Sequence, residues 1–328
     1  MTRFAVIGIG LLGQAISTSL RSRFPSASVL GLDRLPTSSG FVEEGLLTHF
    51  GQCDVRDAAL VREYLEGFAA EIVFHTAAIA TVDRANRNPA LTWAVNLSGT
   101  HNLLSAAATV KPSAVVVMST DKVLGSTRHP ASEDERFCQT SCPYIASKQA
   151  AELLARTAFG DLPLVIPRCA NLVGIGDSNL SRLVPGAIDR ILSGQKPQVY
   201  AGQADVFREY VGVADAAEAI VDLAVLKASG RLLGTVFHVG SGERFNPKQI
   251  VAELLRIADR RSDELEIVDS PEDRRAELGS QWLDSSQVRR TLEDWSPRPI
   301  VESLREAFEH QSGHQGLQRG DPRVRIAA

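Results

Sequence analysis

A strand that runs straight into a glycine-rich turn and out into a helix leaves a chain few ways to fold. Phe4-Ala5-Val6-Ile7 is a short apolar run, Gly8-Ile9-Gly10-Leu11-Leu12-Gly13 follows at once, and residues 14–23 carry the period of an amphipathic helix. Gly8, Gly10 and Gly13 at this spacing permit a tight turn, close approach of the backbone to a ligand, and a helix N-terminus aimed at a pyrophosphate. The alternation then repeats. Apolar runs at 28–32, weakly before Cys53, at 72–78, 114–118 and 164–166 read as strands, with helical patterns at 58–68, 89–108 and 144–158 between them. Strands alternating with helices specify a parallel, doubly wound α/β sheet with right-handed crossovers.

In such a sheet the ligand lies beyond the carboxyl ends of the strands, where the turn at 8–13, Asp33, Ala77, Thr120 and Asn171 all fall. Asp33 comes twenty residues after Gly13. A carboxylate there accepts hydrogen bonds from the adenosine ribose hydroxyls and repels a 2′-phosphate, which favours NAD; Arg34 beside it keeps NADP open. Asp54, followed by Val55, either faces the adenine or caps the helix at 58–68. Thr76-Ala77-Ala78 is a small-residue turn that lets backbone pass close to a cofactor. His75 reads as packed at the strand end rather than catalytic. Asn96, polar in an apolar helical stretch, is expected to brace the strand-end site through a hydrogen bond.

The chemistry concentrates between Ala114 and Lys148. The strand at 114–118 ends in Ser119-Thr120-Asp121-Lys122, and after a loop with Gly125, Pro130 and Pro143 comes Tyr144-Ile145-Ala146-Ser147-Lys148. Tyr and Lys at i and i+4 share a helix face, about 5–6 Å apart at Cβ. An ammonium there lowers the neighbouring phenol's pKa. A phenolate brought toward neutrality takes the proton of a sugar hydroxyl while hydride leaves the same carbon. Without the strand-end Ser-Thr and the upstream glycine turn, Tyr144 and Lys148 would read as a surface pair.

From Gly174 the texture changes. A loop at 176–179, helices at 183–192, 247–260 and 299–309, and a strand at 198–200 describe a smaller α+β substrate-binding part, while a helix at 216–227 (capped by Asp215) and a strand at 236–239 return to the first. The expected division is 1–167 with about 208–240 for the dinucleotide, 168–207 with 241–310 for the substrate, and 311–328 as a flexible tail without apolar period. The chain's 328 residues are 44% hydrophobic with net charge −4 and no basic run, which argues against nucleic acid or an anionic membrane as partner. No apolar stretch approaches the roughly 20 residues of a membrane span, and no signal-peptide apolar region precedes the first strand. Cys53, Cys138, Cys142 and Cys169 have no zinc or redox spacing, so a reduced, cytoplasmic, metal-free protein is expected.

Taken together these residues resemble the extended short-chain dehydrogenase/reductases that modify nucleotide sugars. The resemblance runs to about Phe308 and rests on the glycine turn, Asp33, Asp54, His75 to Ala78, Asn96, Ser119-Thr120, Tyr144/Lys148, Arg168-Cys169-Ala170-Asn171, the run from Phe207 to Asp215, and His238-Val239-Gly240-Ser241-Gly242. It implies a Rossmann-type fold, a homodimer paired through the helices at 89–108 and 144–158, and a tightly bound NAD that takes hydride from C4 of the sugar and returns it. Carried over, Tyr144 is the base at the C4 hydroxyl, Lys148 holds the nicotinamide ribose, and Thr120 hydrogen-bonds the C4 oxygen. Gly8, Gly10, Leu11, Leu12, Gly13, Asp33, Arg34, Asp54, Val55, Thr76, Ala77, Ala78, Asn96 and Ser119 would complete the NAD site. Arg208 and Arg274 resemble diphosphate clamps, with Arg182 and Arg275 as alternatives. Asn171 would meet the diphosphate or sugar, Asn179 and Leu183 line the site, and Tyr200 stacks on the base.

Asp121-Lys122 divides the family. Simple 4-epimerases have small or apolar residues there; 4,6-dehydratases place an acid and a base, commonly Asp-Glu. Asp-Lys resembles CDP-glucose and some UDP-N-acetylhexosamine 4,6-dehydratases, and residues 168–185 look most like the former. A 4,6-dehydratase is therefore the leading expectation. The alternatives are a 4-epimerase in which Asp121 and Lys122 only shape the loop, and a non-catalytic NAD-binding scaffold. Two departures stand out: the turn is one residue shorter than the family's usual Gly-x-x-Gly-x-x-Gly, and Leu124 occupies the position of an aromatic.

Overall fold

The computed structural model describes residues 2–36, 40–269 and 279–319. Among the described residues there are thirteen strands: β1 (Arg3–Ile7), β2 (Ser28–Asp33), β3 (His49–Gln52), β4 (Ile72–His75), β5 (Ala114–Val117), β6 (Ser119–Thr120), β7 (Leu164–Cys169), β8 (Asn171–Val173), β9 (Gln198–Tyr200), β10 (Arg208–Gly212), β11 (Val236–Val239), β12 (Arg244–Phe245) and β13 (Glu266–Val268). The main sheet runs in the order β11-β7-β5-β4-β1-β2-β3, with β6 against β7, and every pairing in it is parallel. The chain starts in the middle, builds to one edge and then to the other, so the order reverses between β1 and β4. That reversal opens a crevice at the strand ends.

Alternation along each strand explains the two covered faces. Phe4, Val6, Val29, Phe74 and Val116 point to one side, against Ile16 and Leu20 of helix Leu11–Arg23 and Ala216 and Ile220 of helix Val213–Ala228. Ala5, Ile7, Leu30, Val73 and Val115 point to the other, against Val61 and Leu65 of helix Ala58–Phe68 and Leu103 and Leu104 of helix Gly99–Val110. A sheet buried on both faces needs continuous apolar runs rather than half-polar strands, as these have. The expected doubly wound sheet is thus the one observed.

Beside it, β12-β10-β8 form a three-stranded sheet and β13-β9 a parallel pair. They share a third core with helices Leu183–Leu192, Pro247–Ile257 and Ile300–Arg319, through Ile188, Ile191, Val199, Ile250, Leu254 and Leu304.

Several expectations are corrected. The helix expected at 89–108 is broken into Pro89–Trp93, a π-helical turn Ala94–Ser98 and Gly99–Val110. The turn centres on Asn96, whose side chain is committed elsewhere. Asp57, not Asp54, caps the helix at 58–68, accepting from Leu60 N at 3.0 Å. Asp215 does not cap its helix but lies in the first turn, after the cap residue Gly212, and pairs with Arg298 at 3.0 Å. The last helix continues to Arg319, so residues 311–319 of the expected tail extend it, and 320–328 lie outside the described residues. Strands β8, β10, β12 and β13 were not expected as such.

Candidate active site

The glycine turn is shaped by packing at its ends and left open in its middle. Gly8 has φ +97°, and a Cβ there would sit 2.4 Å from Ala77 N; a Cβ on Gly13 would sit 2.0 Å from Gly8 O. Backbone cannot yield at such distances, so both positions admit glycine alone. A Cβ on Gly10 meets no protein atom within 4 Å, and Gly10 lines an open cavity of about 800 Å³ at the strand ends. Helix Leu11–Arg23 begins there with no side-chain cap and no acidic residue in its first turn. A pyrophosphate is the kind of group that such an uncapped, positively polarised end accommodates. Thr76 Oγ1 ties the turn to β4, donating to Gly8 O at 2.5 Å. Asp33 Oδ2 accepts from Ile9 N at 2.7 Å and Oδ1 from Leu35 N at 2.9 Å, so the β2 carboxylate stands beside the turn where an adenosine ribose would lie. These residues fit a dinucleotide.

The other residues expected around the cofactor take varied places. Arg34 is exposed. Asp54 is paired with Arg56, whose guanidinium holds its carboxyl below the usual range. Val55 faces inward and is packed in the core. Asn96 is 1% exposed and spans two elements: Oδ1 accepts from Ile79 N at 2.8 Å, and Nδ2 donates to Ile79 O at 3.1 Å and to Ser147 Oγ at 3.0 Å. It clamps the loop after β4 to the helix that carries Tyr144. His75 is buried against Thr100, and burial pushes its pKa down to about 3.

Helix Pro143–Ala158 brings Tyr144 and Lys148 to the cavity beside Ser119, Thr120 and Lys122. The expected tuning of Tyr144 by Lys148 is corrected. Burial pushes the phenol up to about 12, with Asp121 and Cys142 adding to it, while a hydrogen bond with Thr120 and the Arg182 guanidinium pull the other way. Lys148 Nζ donates instead to Met118 O at 2.5 Å, and burial draws its pKa down to about 8. Asp121 is 2% exposed and stands behind the cavity wall rather than in it. Its Oδ1 accepts from Thr120 Oγ1 at 3.0 Å and from Lys122 Nζ at 3.3 Å; Oδ2 has no partner among the described residues. Lys122 Nζ also donates to Asn171 Oδ1 at 2.9 Å, and Asn171 Nδ2 to Glu209 O at 2.9 Å.

Asn171, Asn179, Leu183, Tyr200 and Arg208 line the same cavity. Arg208 donates through Nη2 to Gln203 Oε1 at 2.8 Å and through Nη1 to Gly279 O. Arg182 is paired with Asp177 at 3.2 Å. Arg274 and Arg275 lie outside the described residues. Among the described residues no three His, Cys, Asp or Glu side chains gather as metal ligands.

Two buried carboxylates escaped the sequence reading. Glu152, 1% exposed, accepts from Ser119 Oγ and from Arg168 Nη2 at 2.9 Å, forming a closed ion pair directly beneath the Ser119-Thr120 strand. Its signal was present: Tyr144, Lys148 and Glu152 repeat at four-residue spacing down one helix face. Glu209 accepts from Leu283 N at 2.7 Å and Gly242 N at 2.8 Å, yet burial still raises its pKa to about 7.

Known proteins resemble this chain in sequence and in fold. The model of the NAD dependent epimerase/dehydratase family matches residues 4–240. A dTDP-glucose 4,6-dehydratase of Streptomyces antibioticus is 31% identical over 254 residues, 76% of this chain and 73% of that one. That of Streptomyces niveus is 30% identical over 260 residues, 76% and 75% of the two chains. Among solved structures, a dTDP-glucose 4,6-dehydratase of Streptomyces venezuelae with NAD bound superposes with a TM-score of 0.84 at 26% identity, covering 96% of this chain and 98% of that one. The UDP-glucose 4-epimerase of Thermus thermophilus in complex with NAD gives 0.80 at 27%, covering 94% and 98%. The family match takes in the glycine turn, the Thr120 strand and the Tyr144 helix alike, and on it the chain belongs to the NAD dependent epimerase/dehydratase family.

Proposed function

We propose that this enzyme is an NAD-dependent nucleotide-sugar 4,6-dehydratase, oxidising C4, eliminating water across C5 and C6, and returning hydride to C6. The observation that carries the reading is the Asp121–Lys122 ion pair: Lys122 lines the cavity together with Thr120 and Tyr144, and Asp121, bonded to Thr120, stands directly behind that wall. For this pair to serve a dehydratase, the carboxyl must be protonated as the acid and the amine neutral as the base. One proton passing from Lys122 Nζ to Asp121 Oδ1, across their 3.3 Å contact, makes both. Lys122 then takes the C5 proton, which the C4 ketone acidifies, and Asp121 gives its proton to the departing C6 hydroxyl. Lys122 later returns its proton to C5. The proton that Tyr144 took from the C4 hydroxyl balances the one lost in water.

NAD, held by the 8–13 turn, Asp33, Thr76, Tyr144 and Lys148, would supply the hydride acceptor and a positive charge that favours the Tyr144 phenolate. Asn171, Asn179, Leu183, Tyr200 and Arg208 hold the nucleotide sugar, with Arg208 at the diphosphate, a task suited to a guanidinium fork. The main sheet serves the dinucleotide and the smaller sheets the sugar nucleotide. CDP-glucose is the donor suggested by residues 168–185, and dTDP-glucose the one in the names of the relatives.

A homodimer is supported by Trp93 and Leu153, 38% and 57% exposed on the packed helices Pro89–Trp93 and Pro143–Ala158. Among the described residues no helix is long and apolar enough to cross a membrane, in keeping with a cytoplasmic setting.

Incubation with CDP-, dTDP-, UDP- and GDP-glucose, read by product mass, tests the activity. Loss of one water is expected with at least one donor. An unchanged mass with inverted C4 replaces the reading with a 4-epimerase, and inertness with all four returns the scaffold.

A further inference from the structure

Gln281 is 1% exposed, and neither its amide nitrogen nor its carbonyl oxygen has a partner among the described residues. Folded chains seldom leave both ends of a carboxamide unpaired, because each buried group without a partner forgoes the hydrogen bond it would make in water. This one stands in the wall of the cavity.

The segment that carries it is stitched on two sides. Gln281 N donates to Phe207 O at 3.0 Å, next to Arg208, and Thr127 N donates to Ser280 O at 2.8 Å. Trp282 N donates to Thr127 Oγ1 at 2.9 Å, five residues beyond Lys122. Trp282 is in turn fixed beneath Arg244, whose guanidinium carbon lies 4.0 Å from its ring centroid. The segment thus touches both the loop that follows the acid–base pair and the strand that carries the diphosphate arginine. A hexose held between those two groups would lie alongside Gln281.

We propose that the Gln281 carboxamide is a specificity-determining contact for the hexose ring, a claim that rests on the nucleotide-sugar reading above. One end of the carboxamide donates and the other accepts. Neighbouring ring hydroxyls, each able to do both, satisfy the two ends together; an aliphatic surface satisfies neither. A modest rotation about the side-chain bonds carries the polar atoms from the wall into the cavity, where the sugar supplies the partners that the protein does not. A donor lacking those hydroxyls leaves the amide unpaired and is rejected for that reason.

Titration calorimetry on NAD-loaded protein carrying Tyr144→Phe, so that no donor is consumed, compares dTDP-, CDP-, UDP- and GDP-glucose with the matching nucleoside diphosphates. At least one glucose conjugate should bind more tightly than its diphosphate. Adding Gln281→Leu, which fills the space without polar atoms, should weaken that conjugate about tenfold and leave the diphosphate within about twofold. The same variant should unfold at no lower urea concentration than its parent, since it deletes an unpaired buried amide, and this separates a lost contact from a lost fold. If the margin between conjugate and diphosphate survives in Gln281→Leu, the inference falls and the dehydratase reading stands. Equal weakening of both ligands overturns it as well. If no conjugate binds the parent, the nucleotide-sugar reading itself fails and takes the inference with it.

Discussion

Replacing Asp121 by Asn exchanges one oxygen for an amide nitrogen at almost constant volume, so its consequences are chemical. The side chain is buried, its Oδ1 held by Thr120 at 3.0 Å and Lys122 at 3.3 Å, its Oδ2 without a partner among the described residues. An amide cannot hand a proton to a leaving hydroxyl. A positioned general acid contributes about 10²–10⁴-fold, so elimination should slow by that factor. Oxidation at C4 should survive. The Asp121 charge is among the causes that push the Tyr144 phenol up, so removing it moves that phenol down, toward the form that accepts a proton. Single-turnover measurements on one sample separate the steps: absorbance of reduced nicotinamide reports oxidation, and product mass reports water loss. Absorbance should appear at the native rate or faster while water loss lags by the factor above. Dehydration within about threefold of native would refute Asp121 as the acid.

Other consequences are as open to measurement. Arg168→Met leaves Glu152 buried with the Ser119 hydroxyl as its one hydrogen-bond partner among the described residues; breaking one side of a buried pair costs about 3–5 kcal/mol, and a urea midpoint unmoved from native would contradict the role given to that pair. Burial raises the Glu209 pKa from the ordinary 4.5 to about 7, so the folded state binds that proton more tightly than the unfolded one. The stability this confers is complete below pH about 4.5 and is lost as pH rises through about 7, a decline that should be shallower in Glu209→Gln when urea midpoints are followed across the window. Trp93→Glu with Leu153→Glu places two carboxylates on the exposed apolar surface of the paired helices, and light scattering should then report the mass of one chain where the native protein gives two.

What could be read in advance follows the physics of each element. The runs at 114–118 and 28–32 are β-branched or leucine-rich and buried on both faces, so composition alone marks them as strands. The helices at 58–68 and 183–192 carry their apolar stripe on one side and begin and end where expected. The short strands β8, β12 and β13 have two or three residues each and exist because a partner strand holds them, which no local pattern announces. The π-helical turn at 94–98 surrounds Asn96, whose bonds to Ile79 and Ser147 are tertiary.

The site divides in the same way. Spacing put Tyr144 and Lys148 on one face, but the burial that drives the phenol's pKa up and the Met118 carbonyl that takes the Lys148 ammonium come from other elements. Gln281 follows no period, and only the fold shows a carboxamide without partners in the cavity wall.

In a 4,6-dehydratase, hydride leaves C4 and arrives at C6 with water lost between. A nucleotide hexose carrying deuterium at C4, drawn from whichever donor proves active, tests it in one spectrum. The product should be lighter by one water and carry the deuterium on C6. Deuterium recovered on C4, in a product that has kept its water, would contradict the dehydratase reading.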